Sequence, residues 1–453
     1  MKTPAVTVAS IIDEAPVSKL QIAVMVLCGI VAILDGFDTQ AVAFVAPVIA
    51  GEWGLPPASF GPVFGAGLLG LTVGALVFGP AADRLGRRTV IIWSTVFFGL
   101  FSLLTPLADS IGTLAAMRFF TGLGLGGAMP NIIALTSEYS PVRKRATLVT
   151  LMFCGFPFGA VLGGLISAPL MERFGWAAVL YLGGVLPLLL APVLFAALPE
   201  SLRYLSGKSE RRRELESLLS RVAAGAKAEA VLDVAPEQGI AGGEGAFVSR
   251  LFKDGRGPGT ILLWIIFFSN LLVLYFLINW LPVLLQQGGL PIERAVIGVA
   301  ALNAGGIAGG IALGGLSDRT SPTRVLQLAY AAAAVLVAAL GFVAVNSLGV
   351  VMLLIFLTGV FVIGSQFCMN ALAAGYYPTA IRSTGVGWAL GIGRIGSVIG
   401  PVVGGLLIGS GFGTTNIFFA AAIPAAIAAF SVFLLGLRRN PPGTAAAVKV
   451  LVP

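Results

Sequence analysis

Apolar residues run through this chain in stretches of about 20, each closed by charges or by Pro and Gly turns. Runs of that length match a hydrocarbon core about 30 Å thick. Twelve membrane-spanning helices are expected, near 20–49, 59–81, 89–108, 112–138, 146–170 and 176–198, then near 259–286, 293–316, 323–345, 347–374, 383–408 and 413–437. The one long polar stretch, 199–258, divides them six and six. The fold class is therefore an all-α polytopic membrane protein in two six-helix halves, 20–198 and 259–437, joined by a linker at 199–258 and flanked by tails at 1–19 and 438–453. Within the linker, "SERRRELESLLSRVAAGAKAEAV" mixes both signs at helical spacing and predicts a solvated helix or two at the membrane surface.

Composition agrees: 57% of the 453 residues are hydrophobic and 11% are charged, against about 25% charged in a soluble domain. The formal charge of +8 could suggest nucleic acid, but its distribution excludes that reading. All Lys and Arg except Arg118, Arg173, Arg294 and Arg394 fall in the two tails, in 82–88, 141–145, 199–258 and 317–324, or at Arg382. These segments lie on one side of a twelve-span topology, so the positive-inside rule places both termini in the cytoplasm of a cell whose inner (plasma) membrane holds the protein. The first 20 residues lack the basic start and apolar core of a signal peptide. Cys28, Cys154 and Cys368 lie singly in apolar runs, which indicates neither a disulfide framework nor a metal site. Histidine is absent, so a proton carried through the membrane must ride on a carboxylate.

The halves resemble each other. "YSPVRKRAT" (139–147) and "YYPTAIRST" (376–384) align at an offset of 237, pairing Tyr139 with Tyr376 and Arg145 with Arg382. Gly159 and Gly163 meet Gly396 and Gly400 at the same offset. "GPAADRLGRR" (79–88) has a weaker copy in "GGLSDRTSPTR" (314–324). Duplication of a helical unit is a transporter signature.

"GPAADRLGRR" resembles the loop between the second and third spans of the major facilitator superfamily. "RFFTGLGLGGAMPN" (118–131) resembles its fourth-helix motif, and "LPESLRYL" (198–205) resembles the sixth-helix exit of its sugar, organic-ion and aromatic-acid members. The first-span D-G-F-D, Asp35 to Asp38, looks like the aromatic acid:proton symporter family, whose substrates include 4-hydroxybenzoate, protocatechuate and benzoate. The resemblance covers essentially the whole chain and implies a major facilitator fold. It also implies proton-coupled import of an aromatic carboxylate and matches the family's acids and bases to Asp35, Asp38, Arg118, Glu138, Arg382 and Arg394.

Asp35 and Asp38 share a helix face and are the expected proton-coupling groups together with Glu138, Asp38 being preferred. Charge at bilayer depth costs at least about 2.5–3.5 kcal/mol, so that face should meet a cavity or a cation. Arg118 and Arg394 are the basic residues well inside spans, each able to hold a carboxylate in a planar donor fork. Arg118 equally suits an ion pair with a first-span acid. Phe37, Asn279, Asn303, Gln366, Asn370 and Trp388 are the further candidate substrate contacts, the amides because an amide in lipid lacks a partner. Gly79, Asp83, Arg84, Gly86, Arg87 and Arg88 of the first loop motif, Arg145, which with Glu138 straddles the end of the fourth span, Asp318 and Arg319 of the second copy, and Arg382 are expected to form gating contacts. The glycines around 122–126 and 155–163 suit close helix packing.

No cofactor or metal is expected; the proton gradient supplies the driving force, the partners are a small aromatic carboxylate, a proton and the lipid bilayer, and the chain is expected to be a monomer. No nucleophile or phosphate-loop motif supports an enzyme. A sugar or other organic-ion porter, or a drug:proton antiporter, remains the alternative, since fold does not fix substrate.

Overall fold

The computed structural model describes residues 8–222, 245–342, 348–378 and 381–437. In chain order its first nine helices are α1 (Val8–Glu14), α2 (Lys19–Glu52), α3 (Phe60–Leu85), α4 (Arg87–Leu104), α5 (Ile111–Glu138), α6 (Val142–Phe153), α7 (Gly155–Phe174), α8 (Ala177–Ala197) and α9 (Leu202–Ser206). After α10 (Arg212–Val222) and α11 (Gly245–Leu251) come α12 (Gly257–Gln287), α13 (Ile292–Arg319), α14 (Pro322–Leu340), α15 (Leu348–Tyr376), α16 (Arg382–Gly409) and α17 (Thr414–Leu437). Twelve segments among the described residues are long and apolar enough to cross a membrane, and the protein is multi-pass. They fall where the apolar runs predict, with several ends extended into charged residues, as at Lys19 and Arg87. A helix that continues past the apolar run keeps its backbone hydrogen-bonded while long basic side chains reach the interface. The fifth span is built from two helices, α6 and α7, which meet at Cys154 and Gly155.

The chain divides into two compact units. The first draws on Met1–Ala41, Ala66–Gly163 and Phe174–Ile240, the second on Val42–Gly65, Gly164–Arg173 and Ala241–Pro453. Backbone contact through glycine organises both in the same way. In the first unit a Cβ on Gly122 of α5 would stand 2.0 Å from the Gly67 carbonyl oxygen of α3, and one on Gly159 of α7 would stand 1.9 Å from that of Ile33 in α2. In the second, a Cβ on Gly359 of α15 would stand 1.9 Å from the Leu302 carbonyl oxygen of α13, and one on Gly396 of α16 would stand 2.3 Å from that of Phe268 in α12. Gly122 and Gly359, like Gly159 and Gly396, are 237 residues apart. The internal repeat is thus a repeat of helix contacts, in which only a hydrogen fits between the backbones.

Two features of the first unit go beyond the expected tail and linker. Val8, Ile11 and Ile12 of α1 are buried in one apolar cluster with Leu202 and Leu205 of α9 and Leu215, Leu218, Leu219 and Val222 of α10. The spacing of those four α10 positions is that of a single helical face. Asp13 accepts the first backbone N–H of α6, from Val142, at 2.7 Å, and Arg143 donates to the carbonyls of Asp13 and Ala15.

Candidate functional site

Asp38 and Arg118 meet inside the first unit. Arg118 Nη2 donates to Asp38 Oδ2 at 2.9 Å and to the Asp38 backbone carbonyl at 3.0 Å. The carboxylate is fully buried and the guanidinium is 3% exposed. Of the two arrangements open to Arg118, the ion pair is the one formed. Its Nε and Nη1 are buried and meet no acceptor among the described residues, so most of the donor fork is unused. The second carboxylate oxygen, Oδ1, accepts from the hydroxyl of Ser102 on α4. Glycine on α8 makes room for this cluster: a Cβ on Gly183 would lie 3.2 Å from Ser102 Oγ, 3.3 Å from Asp38 Oδ1 and 3.2 Å from the Phe37 ring. Gly184 brings the α8 backbone to 2.5 Å, measured from such a Cβ, of the Leu103 amide.

Asp35, one turn earlier, has a different setting. It is buried and accepts from Thr39 Oγ1 of its own helix at 3.1 Å. Phe37 is also buried, its ring set against Gly183. Glu138, expected with the proton-coupling acids, is placed elsewhere. It ends α5, 20 residues beyond Arg118, or about 30 Å along a helix.

The second unit gathers amides. Asn270 Nδ2 of α12 donates to Gln366 Oε1 of α15 at 2.6 Å, and Gln366 Nε2 donates to Asn370 Oδ1 at 3.2 Å. Asn279 and Asn303 turn their donors back on their own helices, to the carbonyls of Tyr275 at 2.7 Å and Val299 at 2.9 Å. Both satisfy an amide that lipid could not. Arg394 is half-buried on α16 and forms no ion pair among the described residues. Trp388 is 43% exposed and stacks on Trp264, rings 6.0 Å apart.

At the basic end of the first unit the two motifs "GPAADRLGRR" and "LPESLRYL" close on each other. Gly86 has φ of +91°, and a Cβ there would lie 2.2 Å from Glu200 Oε2. The positive φ favours glycine, and the Glu200 carboxylate would have to move for any side chain there. Buried Glu200 accepts the backbone N–H of Arg88 at 3.0 Å and of Ser201 at 2.8 Å. Arg87 Nη1 lies 2.8 Å from Glu138, which also accepts from the Ser201 hydroxyl. The Arg88 guanidinium donates to the Phe195 carbonyl and lies over that residue's ring at 5.3 Å. Asp83 and Arg84 are exposed, and Asp83 forms no ion pair among the described residues; Gly79 faces open space. The pairing of Glu138 with Arg145 expected from their positions is replaced by the Arg87 pair, and Arg145 instead donates to the Ser140 carbonyl at 3.3 Å. Its repeat partner Arg382 does the same to Tyr377 at 3.4 Å. The paired tyrosines also match: Tyr139 donates to the Glu200 carbonyl at 2.7 Å and Tyr376 to that of Arg256 at 2.9 Å. Arg319 is exposed, and the Asp318 side chain lies outside the described residues.

Tyr139 is pushed well above the ordinary tyrosine value, chiefly by burial and then by the charges of Glu138 and Glu200. Among the described residues no group of three or more His, Cys, Asp or Glu is arranged to hold a metal.

The sequence alone assigns no role to Glu200 or Ser102. The first stands inside a quoted motif, and its signal was a lone acid directly after an apolar span. The second is one serine in an apolar run, and nothing local marks it.

The sequence profile of the Major Facilitator Superfamily matches residues 28–374 and 336–450. The chain belongs to this superfamily. It is 41% identical to the 4-hydroxybenzoate transporter PcaK of Pseudomonas aeruginosa, over 95% of this chain and 96% of that one. It is 39% identical to the gallate transporter of Pseudomonas putida, over 96% of each. Within the superfamily it therefore groups with aromatic-acid transporters. The fold is similar to that of the xylose transporter XylE from E. coli, with a TM-score of 0.74 at 15% identity over 94% of this chain and 99% of that one.

Proposed function

We propose that this protein is a secondary transporter of the inner membrane that imports a hydroxybenzoate-like carboxylate together with protons by alternating access. The observation that carries this reading is the buried Asp38–Arg118 pair with its unused arginine donors. A membrane interior that spends no further acceptor on a guanidinium leaves it available to an anion from outside. Both 4-hydroxybenzoate and gallate, the substrates named for the relatives above, present one ring carboxylate.

Coupling follows from charge. A substrate carboxylate on the free donors of Arg118 offsets the positive charge that faces Asp38, so an anion and a proton entering together leave the net charge of the site unchanged. Anion and proton then promote each other's binding by the same factor. Asp35, on the same helix, is the second candidate proton carrier. Within the second unit, Arg394 is the second candidate carboxylate anchor, and the amides of Asn270, Gln366 and Asn370 are that unit's candidate polar contacts. Glu138 belongs with Arg87, Arg145, Glu200 and Gly86 as part of a gate at the cytoplasmic end of the first unit, and Arg319 and Arg382 are the candidate gating residues of the second. Both termini are cytoplasmic in this scheme and one chain forms the working unit.

The test is uptake of radiolabelled 4-hydroxybenzoate by proteoliposomes with and without an inward proton gradient, with benzoate, protocatechuate, gallate and glucose as competitors. Gradient-driven accumulation displaced by the aromatic acids and not by glucose is expected. Uptake of glucose, or gradient-driven expulsion of a cationic drug, would assign the site to a different ligand.

A further inference from the structure

Asp38 is fully buried, so both of its protonation states draw on the groups packed around it, and Arg118 can serve only one of them well. Arginine offers donors and no acceptor. A carboxylic acid O–H on Oδ1 needs an acceptor, and Ser102 is the group there. Its oxygen stands within hydrogen-bond distance of Oδ1 and 3.4 Å from a second acceptor, the Leu180 carbonyl of α8. A hydroxyl both donates and accepts and rotates freely about its C–O bond.

We infer that Ser102 is a positioning residue for Asp38, a hydroxyl swivel that donates to the carboxylate when it is ionised and accepts from it when it is protonated. In the ionised state the Ser102 hydrogen points at Oδ1. When a proton arrives it binds Oδ1 and is donated to Ser102 Oγ, whose own hydrogen turns to the Leu180 carbonyl. Oδ2 keeps its contact with Arg118 Nη2 throughout, and no proton leaves the serine. The swivel requires room, and the absence of a side chain at Gly183 provides it, since a Cβ there would crowd Ser102 Oγ and Asp38 Oδ1 at once.

The charged groups facing Asp38 are few. On its own helix Asp35 stands one turn away; α5 contributes Arg118. From α4 comes no ionisable side chain nearer than Arg87 and Arg88 at its start, and from α8 only Tyr181, which is 40% exposed. Among the described residues the hydroxyl therefore acts on a carboxylate with one arginine in contact and a second carboxylate, Asp35, one turn away.

This inference rests on the proton-symport reading, so its test measures the pH profile of uptake in reconstituted vesicles. Removing the donor in Ser102→Ala disfavours the ionised carboxylate more than the acid, because hydrogen bonds to charge are the stronger ones. The midpoint of the proton-dependent step should move by about one pH unit toward alkaline, and Ser102→Thr should restore it. Ser102→Cys, close in size and with a weak donor, should give a smaller shift in the same direction and serves if the alanine variant does not assemble. Infrared titration of the protonated carboxyl band, identified by its loss in Asp38→Asn, should show the same displacement and a changed band position in Ser102→Ala. A Ser102→Ala profile superimposed on the wild type would overturn the inference. So would equal loss of rate at every pH in the alanine and threonine variants, which is the behaviour of a packing residue. Absence of gradient-driven uptake in the wild type would sink the symport reading and this inference with it, and is told apart by appearing before any substitution is made.

Discussion

Single residues here carry the consequences of being buried in lipid. Asp38→Asn keeps the shape of the side chain and removes its charge, so gradient-driven accumulation should be lost while exchange of labelled for unlabelled substrate survives. Undiminished accumulation in that variant would move coupling to Asp35. Replacing Arg118 by lysine keeps the charge and removes the planar fork; binding of the aromatic acid, followed by scintillation proximity, should weaken by at least tenfold, whereas the same change at Arg394 tests the second anchor. Gly86→Ala forces a Cβ into φ +91° and against the Glu200 carboxylate, a strain of about 1–3 kcal/mol. A lower unfolding temperature in detergent is expected, with Gly79→Ala, inside α3 and facing open space, as the control that should not lower it. Tyr139 sets a pH limit. Its folded value is raised above the ordinary one near 10, so the unfolded chain releases this proton first and stability falls as pH rises above about 10. A thermal-unfolding series should be insensitive to this group at neutral pH and decline on the alkaline side, and Tyr139→Phe should flatten that decline.

At the scale of helices, the sequence was most legible where one physical rule acts alone. Lipid allows few spanning structures, so length and hydropathy locate all twelve spans. The repeat was legible too, because glycine at backbone contacts and tyrosine at a carbonyl leave residues that align by eye, as in Gly159 with Gly396 and Tyr139 with Tyr376. The short helix α1 was not. Its seven residues carry no membrane-length signal, and it is held by apolar contacts with α9 and α10, far along the chain. Asp13→Ala removes the side-chain acceptor at the start of α6. A loss of about 1 kcal/mol is expected, seen as faster amide exchange of Val142 and its neighbours.

For the whole molecule, the absence of histidine leaves Asp and Glu as the carriers of a proton in the proposed symport. Reciprocal linkage makes a measurable claim at this scale: if anion and proton bind cooperatively, acidification lowers the substrate concentration needed for half-saturation, and that dependence disappears in Asp38→Asn.

Composition, span number, the repeat and the family follow from the order of residues alone, because bilayer thickness and glycine contact act on local sequence. That Asp38 would be the acid paired with Arg118, that Glu138 would join Arg87 and Ser201 at the far end of α5, and that Ser102 and Glu200 would matter at all were decided by tertiary structure. Each of these depends on which helix faces bring residues dozens of positions apart within three ångströms. A buried charge chooses its partner by geometry, and spacing along one helix does not record what the neighbouring helices present.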